Sequence, residues 1–303
     1  MPDQGHRRPR RSGCEHAGKP ALTSRLAVVE NGRVVSDDSR GETVPWWSFT
    51  KTVIAAAALR LAGEGGLELD TPDPDAGYSV RQLLQHTAGV RDYGGSAAYH
   101  AAVGAGETPW PAAVLRRRIG ESALFPPGEG WAYSNIGYLI LRERLEAATG
   151  LSLSAALSEL VFRPLAIAAV VVETPAQAGA LPGVIAGYDP GWVYHGLAAG
   201  PLAEAARLLD GLLSGRLLRP DLLTEMTAPR LLEVGLGDRP WTRPAYGLGL
   251  MIPAAADRVM AGHTGGGPSS SVAVYAVGGR AAAAFSLGED PVAVERAVVS
   301  ALA

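Results

Sequence analysis

Ser48 and Lys51 stand three residues apart in Trp46-Trp47-Ser48-Phe49-Thr50-Lys51. On a helix such residues share a face, with about 5–6 Å between their Cβ atoms. A hydroxyl and an amine at that spacing make an activated nucleophile: the amine takes the proton as the oxygen attacks a carbonyl. The amine must first lose its own charge, and burial among apolar residues lowers a lysine pKa. Val53, Ile54, Leu59 and Leu61 follow and supply such surroundings. The bland alternative is a serine N-cap before a surface lysine. Only two of the 27 basic residues are lysine, Lys19 and Lys51, and a surface lysine has no reason to sit in an apolar helix.

Two further groups carry polar chemistry. Tyr133-Ser134-Asn135 lies just before a predicted helix. In an extended segment, Tyr133 and Asn135 point the same way. The phenol can relay a proton, and the amide can hold a substrate carbonyl or the lysine. Seen alone, Ser-Asn is equally an ordinary N-cap. His263-Thr264-Gly265-Gly266-Gly267 ends a predicted strand. Glycines there let a ligand approach the backbone, and an N–H can donate to an oxyanion. No Gly-Lys-Ser/Thr follows, so this is not a phosphate loop.

The elements that must position these groups are legible in outline. Arg25 to Val35 reads as a hairpin around Asn31-Gly32. Thr50 to Ala62 is a helix apolar on nearly all sides, stopped by Gly63, Gly65 and Gly66. Helices are predicted over 80–85, 112–119, 136–149, 153–161, 202–213 and 292–303. The 136–149 helix places Leu141, Leu145 and Ala148 on its apolar face. Strands are predicted over 259–263, 271–277 and 281–287. Strands at both ends with helices between them imply an α+β fold, one antiparallel sheet with an inserted helical domain. The expected division is a tail over 1–20, a sheet domain from 21–70 and 230–303, and a mainly helical domain over 71–229.

Taken together the three groups resemble the penicillin-recognising serine hydrolases, whose motifs are Ser-x-x-Lys, Tyr-x-Asn and Lys-Thr-Gly or His-Thr-Gly. They occur here in the family's order. Leu83-Leu84-Gln85-His86-Thr87-Ala88-Gly89-Val90, Phe125 to Tyr138 and Tyr246-Gly247-Leu248-Gly249 are also similar. The variants are nearest the class C β-lactamase branch and the D-Ala-D-Ala carboxypeptidases and esterases beside it. The resemblance spans roughly residues 22–290. It implies a five-stranded antiparallel sheet flanked by helices, with a site at the boundary with the helical domain. It implies an acyl-enzyme on Ser48, with Lys51 and Tyr133 sharing proton transfers. Asn135 would hold the substrate amide and Lys51. His263, Thr264 and Gly265 would line the substrate strand, and the N–H groups of Ser48 and Gly266 would form the oxyanion hole. No cofactor and no metal are required. His86 matches a family loop and is expected to be structural.

Three departures narrow the substrate. The segment before Ser48 is abbreviated. His263 replaces the lysine of true β-lactamases and, with an ordinary pKa near 6.5, is a weaker anchor for a carboxylate. Leu250 and Met251 follow the Tyr-Gly-x-Gly stretch where the carboxypeptidases carry a basic residue. The expectation is a serine hydrolase, an esterase or amidase acting on small ester, amide or peptide substrates. The alternatives are a D-Ala-D-Ala carboxypeptidase, D-aminopeptidase or β-lactamase, and a non-catalytic binding descendant. Trp110, Trp192, Tyr194 and His195 are placed on loops, as pocket lining or as core. A net charge of −3 without a basic stripe argues against nucleic acid. The longest apolar run, Pro164 to Val172, is too short for a membrane span. The single Cys14 excludes an internal disulfide. The arginine-rich stretch before it lacks an apolar export segment, so the expectation for the sequence as written is cytoplasmic. A true start lying upstream would make the protein periplasmic or secreted.

Overall fold

The computed structural model describes residues 24–255 and 257–303. The expectations for residues 1–20 and Cys14 lie outside them. In chain order the strands are β1 (Arg25–Glu30), β2 (Arg33–Asp37), β3 (Thr43–Pro45), β4 (Val170–Val171), β5 (Ala198–Pro201), β6 (Arg230–Leu231), β7 (Ala245–Tyr246), β8 (Ala254–Ala255), β9 (Arg258–Val259), β10 (Ala261–Gly267), β11 (Ser270–Val277) and β12 (Arg280–Leu287). Asn31 and Gly32 join β1 to β2 with φ of 47° and 81°, the paired positive values that a two-residue hairpin turn needs. The main sheet runs β10-β11-β12-β1-β2 and is antiparallel throughout. Both ends of the chain therefore meet at the β1–β12 pair, where Val28 faces Ala282. This is the α+β architecture expected.

The helices are α1 (Thr50–Gly63), α2 (Val80–Leu84), α3 (Ala97–Gly104), α4 (Ala112–Ile119), α5 (Asn135–Thr149), α6 (Leu153–Leu157), α7 (Arg163–Leu165), α8 (Pro175–Gly179), α9 (Leu202–Leu213), α10 (Pro220–Thr227) and α11 (Pro291–Leu302). α9 covers the sheet face that carries Ala27, Val29, Val274 and Phe285. α11 covers the other, with Val294, Val298 and Leu302 packed on Val28, Ala273, Tyr275 and Ala282. A strand buried on both sides needs no polar alternation, which is why β12 carries four alanines in a row. On the far side of the core, α1 packs against α5 and α6. Its residues from Thr50 to Leu59 are all buried.

Four expectations are corrected. Strands are not confined to the two ends of the chain: within the mainly helical middle, β4 and β5 pair with β3 in a second, three-stranded sheet. Helix 202–213, assigned by sequence to the helical part, lies on the main sheet. The strand expected over 259–263 is instead β10, which runs on through the glycines 265–267, paired with Val272, Ser271 and Ser270, and Ala148, expected on an apolar face, is exposed. The physical reason is common to the strand errors. Short strands and glycine runs carry no periodicity, and only pairing partners reveal them.

Candidate active site

The nucleophile turn is fixed from both sides. Trp47–Phe49 form a 3₁₀ turn leading into α1, and Trp47 is held at φ 39°, a strained value for a bulky residue. The indole of Trp46 donates to Gly200 O at 3.2 Å on the small sheet. The indole of Trp47 donates to Ser270 Oγ at 3.0 Å on the main sheet. Ser48 thus sits at a helix N-terminus, where the first N–H groups have no intrahelical acceptor. A Cβ on Gly265 would lie 2.6 Å from Ser48 N, and one on Gly267 would strike the Trp47 ring. These glycines therefore admit the protein's own nucleophile turn. A Cβ on Gly266 would meet only Ser271 Oγ, at 3.8 Å.

β10 is the edge strand, and its outward side can be read from Gly262. That residue exchanges N–H and C=O bonds with Met251 at 2.9 and 2.7 Å, away from β11. Strand period two then turns the N–H of Gly266 outward as well. Ser48, Asn135, His195 and Gly266 share one cavity of about 500 Å³, walled by Tyr99 and Tyr188 among others. A larger cavity of about 740 Å³ lies among α4, α5 and the segments on either side of α2. It holds the ion pairs Arg116–Glu143 and Arg144–Asp73, at 2.6 Å, and it does not reach Ser48.

Lys51 is wholly buried. Its Nζ donates to Ser48 Oγ at 3.1 Å and to Asn135 Oδ1 at 2.7 Å, and lies 3.1 Å from His195 Nε2. None of the three partners is ionised. Burial pushes the Lys51 ammonium down to about 7, against an opposing pull from the Asp92 carboxylate. The rings of Tyr133 and Tyr138 lie 5.1 and 5.7 Å from Nζ. Burial pushes the Tyr133 phenol up, although the nearby Ser48 hydroxyl works the other way. At neutral pH the tyrosine is therefore a proton donor, while the lysine is poised to lose a proton.

The Tyr133-Ser134-Asn135 loop is pinned at each residue. Ser134 N–H donates to His86 Nδ1 at 3.1 Å. Ser134 Oγ donates to Arg91 O at 2.9 Å and, as N-cap of α5, accepts from Gly137 N–H. Asn135 N–H donates to Asp92 Oδ1 at 2.8 Å. The His86 ring lies 4.4 Å, centroid to centroid, from Tyr133. His86 itself is held at φ 61°.

Two expected site residues lie elsewhere. His263 is fully buried beneath the strand. Its Nδ1 meets Thr264 O at 2.7 Å and its Nε2 meets the Tyr246 hydroxyl at 3.1 Å. Burial, and next the Lys51 charge, push its pKa down to about 3, so it is neutral and is no anion anchor. Thr264 points to the α11 side, where its hydroxyl donates to Glu295 Oε1 at 2.6 Å and meets the Tyr275 hydroxyl at 2.9 Å. Trp110, Trp192 and Tyr194 are buried and pack edge to face; His195, beside them, reaches the site. Sequence reasoning missed the contacts of His195 and Asp92. His195 carried only a faint signal, an aromatic loop with an unexplained histidine, and Asp92 carried none.

A family model described as Beta-lactamase matches residues 17–302. Esterase EstB of Burkholderia gladioli is 30% identical over 168 residues, 46% of this chain and 40% of that protein. A D-aminopeptidase of Brucella anthropi is 31% identical over 159 residues, 46% of this chain and 30% of that protein. The matches thus span less than half the length of these curated relatives. Among solved structures, a D-stereospecific amidohydrolase from Streptomyces sp. aligns with a TM-score of 0.78 at 23% identity, covering 93% of this chain and 95% of that one. A D-amino acid amidase from Ochrobactrum anthropi SV3 with D-phenylalanine aligns at 0.74 and 19%, covering 92% of each chain. At these identities the structural matches establish the fold.

Proposed function

The chain belongs to the beta-lactamase family, and from that premise we propose that it is a serine hydrolase that cleaves small esters or amides through an acyl-enzyme on Ser48. The observation that carries this reading is Lys51: a wholly buried amine 3.1 Å from the Ser48 hydroxyl, lowered to about 7. As neutral amine, Lys51 takes the Ser48 proton while Oγ attacks the carbonyl carbon. Charge on the carbonyl oxygen is met by the N–H groups of Ser48 and Gly266. The C–O or C–N bond then breaks, and the leaving group takes a proton from Tyr133, which Lys51 resupplies. Water attacks the acyl-enzyme by the same route reversed, giving the acid and free Ser48.

The substrate reading follows from the charges at the cavity. Among the described residues no lysine or arginine lines it, whereas Glu289 stands at its rim. His263 is buried and neutral, and Leu250 is fully buried. With no lysine or arginine there to hold a free carboxylate, neutral esters and amides fit better than penicillins or D-Ala-D-Ala peptides. The acidic rim supports a second reading, an amide that carries a free amine, as the name of the D-aminopeptidase relative suggests.

A fluorophosphonate probe should label the wild type at Ser48 and leave Ser48→Ala unlabelled. A panel of nitrophenyl esters, amino acid amides, D-Ala-D-Ala peptides and penicillins should then show turnover of the first two classes. A folded wild type that neither labels nor turns over any panel member would refute the reading.

A further inference from the structure

We propose that His195 is a positioning residue for Lys51, fixing the amine so that its lone pair faces the Ser48 hydroxyl; this rests on the hydrolase reading. An ammonium has three N–H donors and no acceptor. Around Nζ stand three partners: Ser48 Oγ at 3.1 Å, Asn135 Oδ1 at 2.7 Å and His195 Nε2 at 3.1 Å. In the protonated state each takes one N–H, so Nε2 accepts. When the lysine loses a proton, the amide oxygen and Nε2 remain good acceptors for the two N–H bonds left. The lone pair then has one direction, towards the serine hydroxyl, which can now donate to it. Asn135 alone would leave the amine free to rotate about the Cε–Nζ bond. The imidazole supplies the second fixed point.

Several features of the ring fit this role. It is buried, with 3% of its surface exposed. Among the described residues its buried Nδ1 has no hydrogen-bond partner, so the ring leaves that group unsatisfied while its Nε2 meets the lysine. Burial above all, and then Lys51 on α1, oppose a charge that would turn Nε2 into a donor; His263 on β10, Arg142 on α5 and His86 after α2 also face the ring and act the same way. Around Lys51 itself stand Asp92 and the rings of Tyr133 and Tyr138. His195 thus stays the neutral acceptor over the range in which Lys51 titrates.

The test compares His195→Leu, which keeps apolar bulk and removes the acceptor, with His195→Gln, which carries an oxygen at about the reach of Nε2. The chain has two lysines, so ¹³Cε-lysine NMR follows Lys51 directly, with Lys51→Met as the assignment control. Without the acceptor the ammonium loses one hydrogen bond, so the Lys51 midpoint should fall by about one pH unit in His195→Leu. Acylation of Ser48 by the fluorophosphonate should slow about 10- to 100-fold through loss of orientation. His195→Gln should keep the wild-type midpoint and restore most of the rate. Near-UV circular dichroism checks the fold, with His195→Met in place of the leucine variant should that one unfold. The proposal is overturned if removing the acceptor leaves both readouts at wild-type values, or if His195→Gln is as impaired as the leucine variant. A wild type that fails to label would sink the hydrolase reading alone, since the lysine titration still reads the contact.

Discussion

Strand β10 separates two buried ionisable groups that the fold treats in opposite ways. On the α1 side Lys51 meets three neutral partners, Ser48, Asn135 and His195. On the α11 side Glu295, equally buried, is gripped by Nε and Nη2 of Arg239 and by the Thr264 hydroxyl. A buried charge with a counter-ion and full hydrogen bonding is tolerated as structure. One whose partners are all neutral is driven towards its uncharged form. The same strand therefore rests on a fixed ion pair on one face and backs a proton acceptor on the other. Burial alone does not mark a functional group; burial without a counter-ion in contact does.

The comparison can be broken most sharply at Lys51. Lys51→Arg should fold, yet Ser48 acylation should drop by about 10²–10⁴-fold, the span of a lost general base, because a guanidinium does not give up its proton. Normal acylation by a stopped-flow assay would mean that the lysine is not the base. Lys51→Met tests the burial penalty itself. Below about pH 7 folded and unfolded chains both hold the lysine proton. Between about 7 and 10.5 only the unfolded chain does, so stability rises with pH. From pH 6 to 10 the wild type should gain on the order of 4 kcal/mol relative to Lys51→Met, read from urea unfolding at each pH. Parallel profiles would contradict the lowered pKa. The smallest effect on chemistry should come from the other face. Glu295→Ala leaves Arg239 without its partner and should cost about 3 kcal/mol of stability. The acylation rate per folded molecule should change little, and a large selective loss of rate would erase the distinction between the faces.

Much of this was legible in the sequence, for reasons that differ by element. The hairpin was readable because Asn-Gly enforces its turn locally. α1 and α5 were readable because their apolar residues repeat at the helical period or fill every side. Ser48, Lys51 and Asn135 come together as the spacing and the motifs implied. His263 and Thr264 were located but not oriented. Alternation along β10 puts them on opposite faces, and only the packing of α1 and α11 decides what each face meets. Gly265 was read as room for a ligand, and the turn that fills that room comes from more than 200 residues earlier in the chain. His195 and Asp92 lie 144 and 41 residues from Lys51, with no periodicity to link them. Their place depends on the loop before β5 and on the turn that caps α5, which are tertiary facts.

The central claim is that Lys51 is a neutral base near physiological pH. ¹³Cε-lysine NMR of the wild type, titrated from pH 5 to 11 with Lys51→Met for assignment, tests it without any substrate. The account predicts a lysine signal with a midpoint near 7 that is absent from the variant. A signal absent from the variant that titrates near the ordinary lysine value of about 10.4 would contradict it.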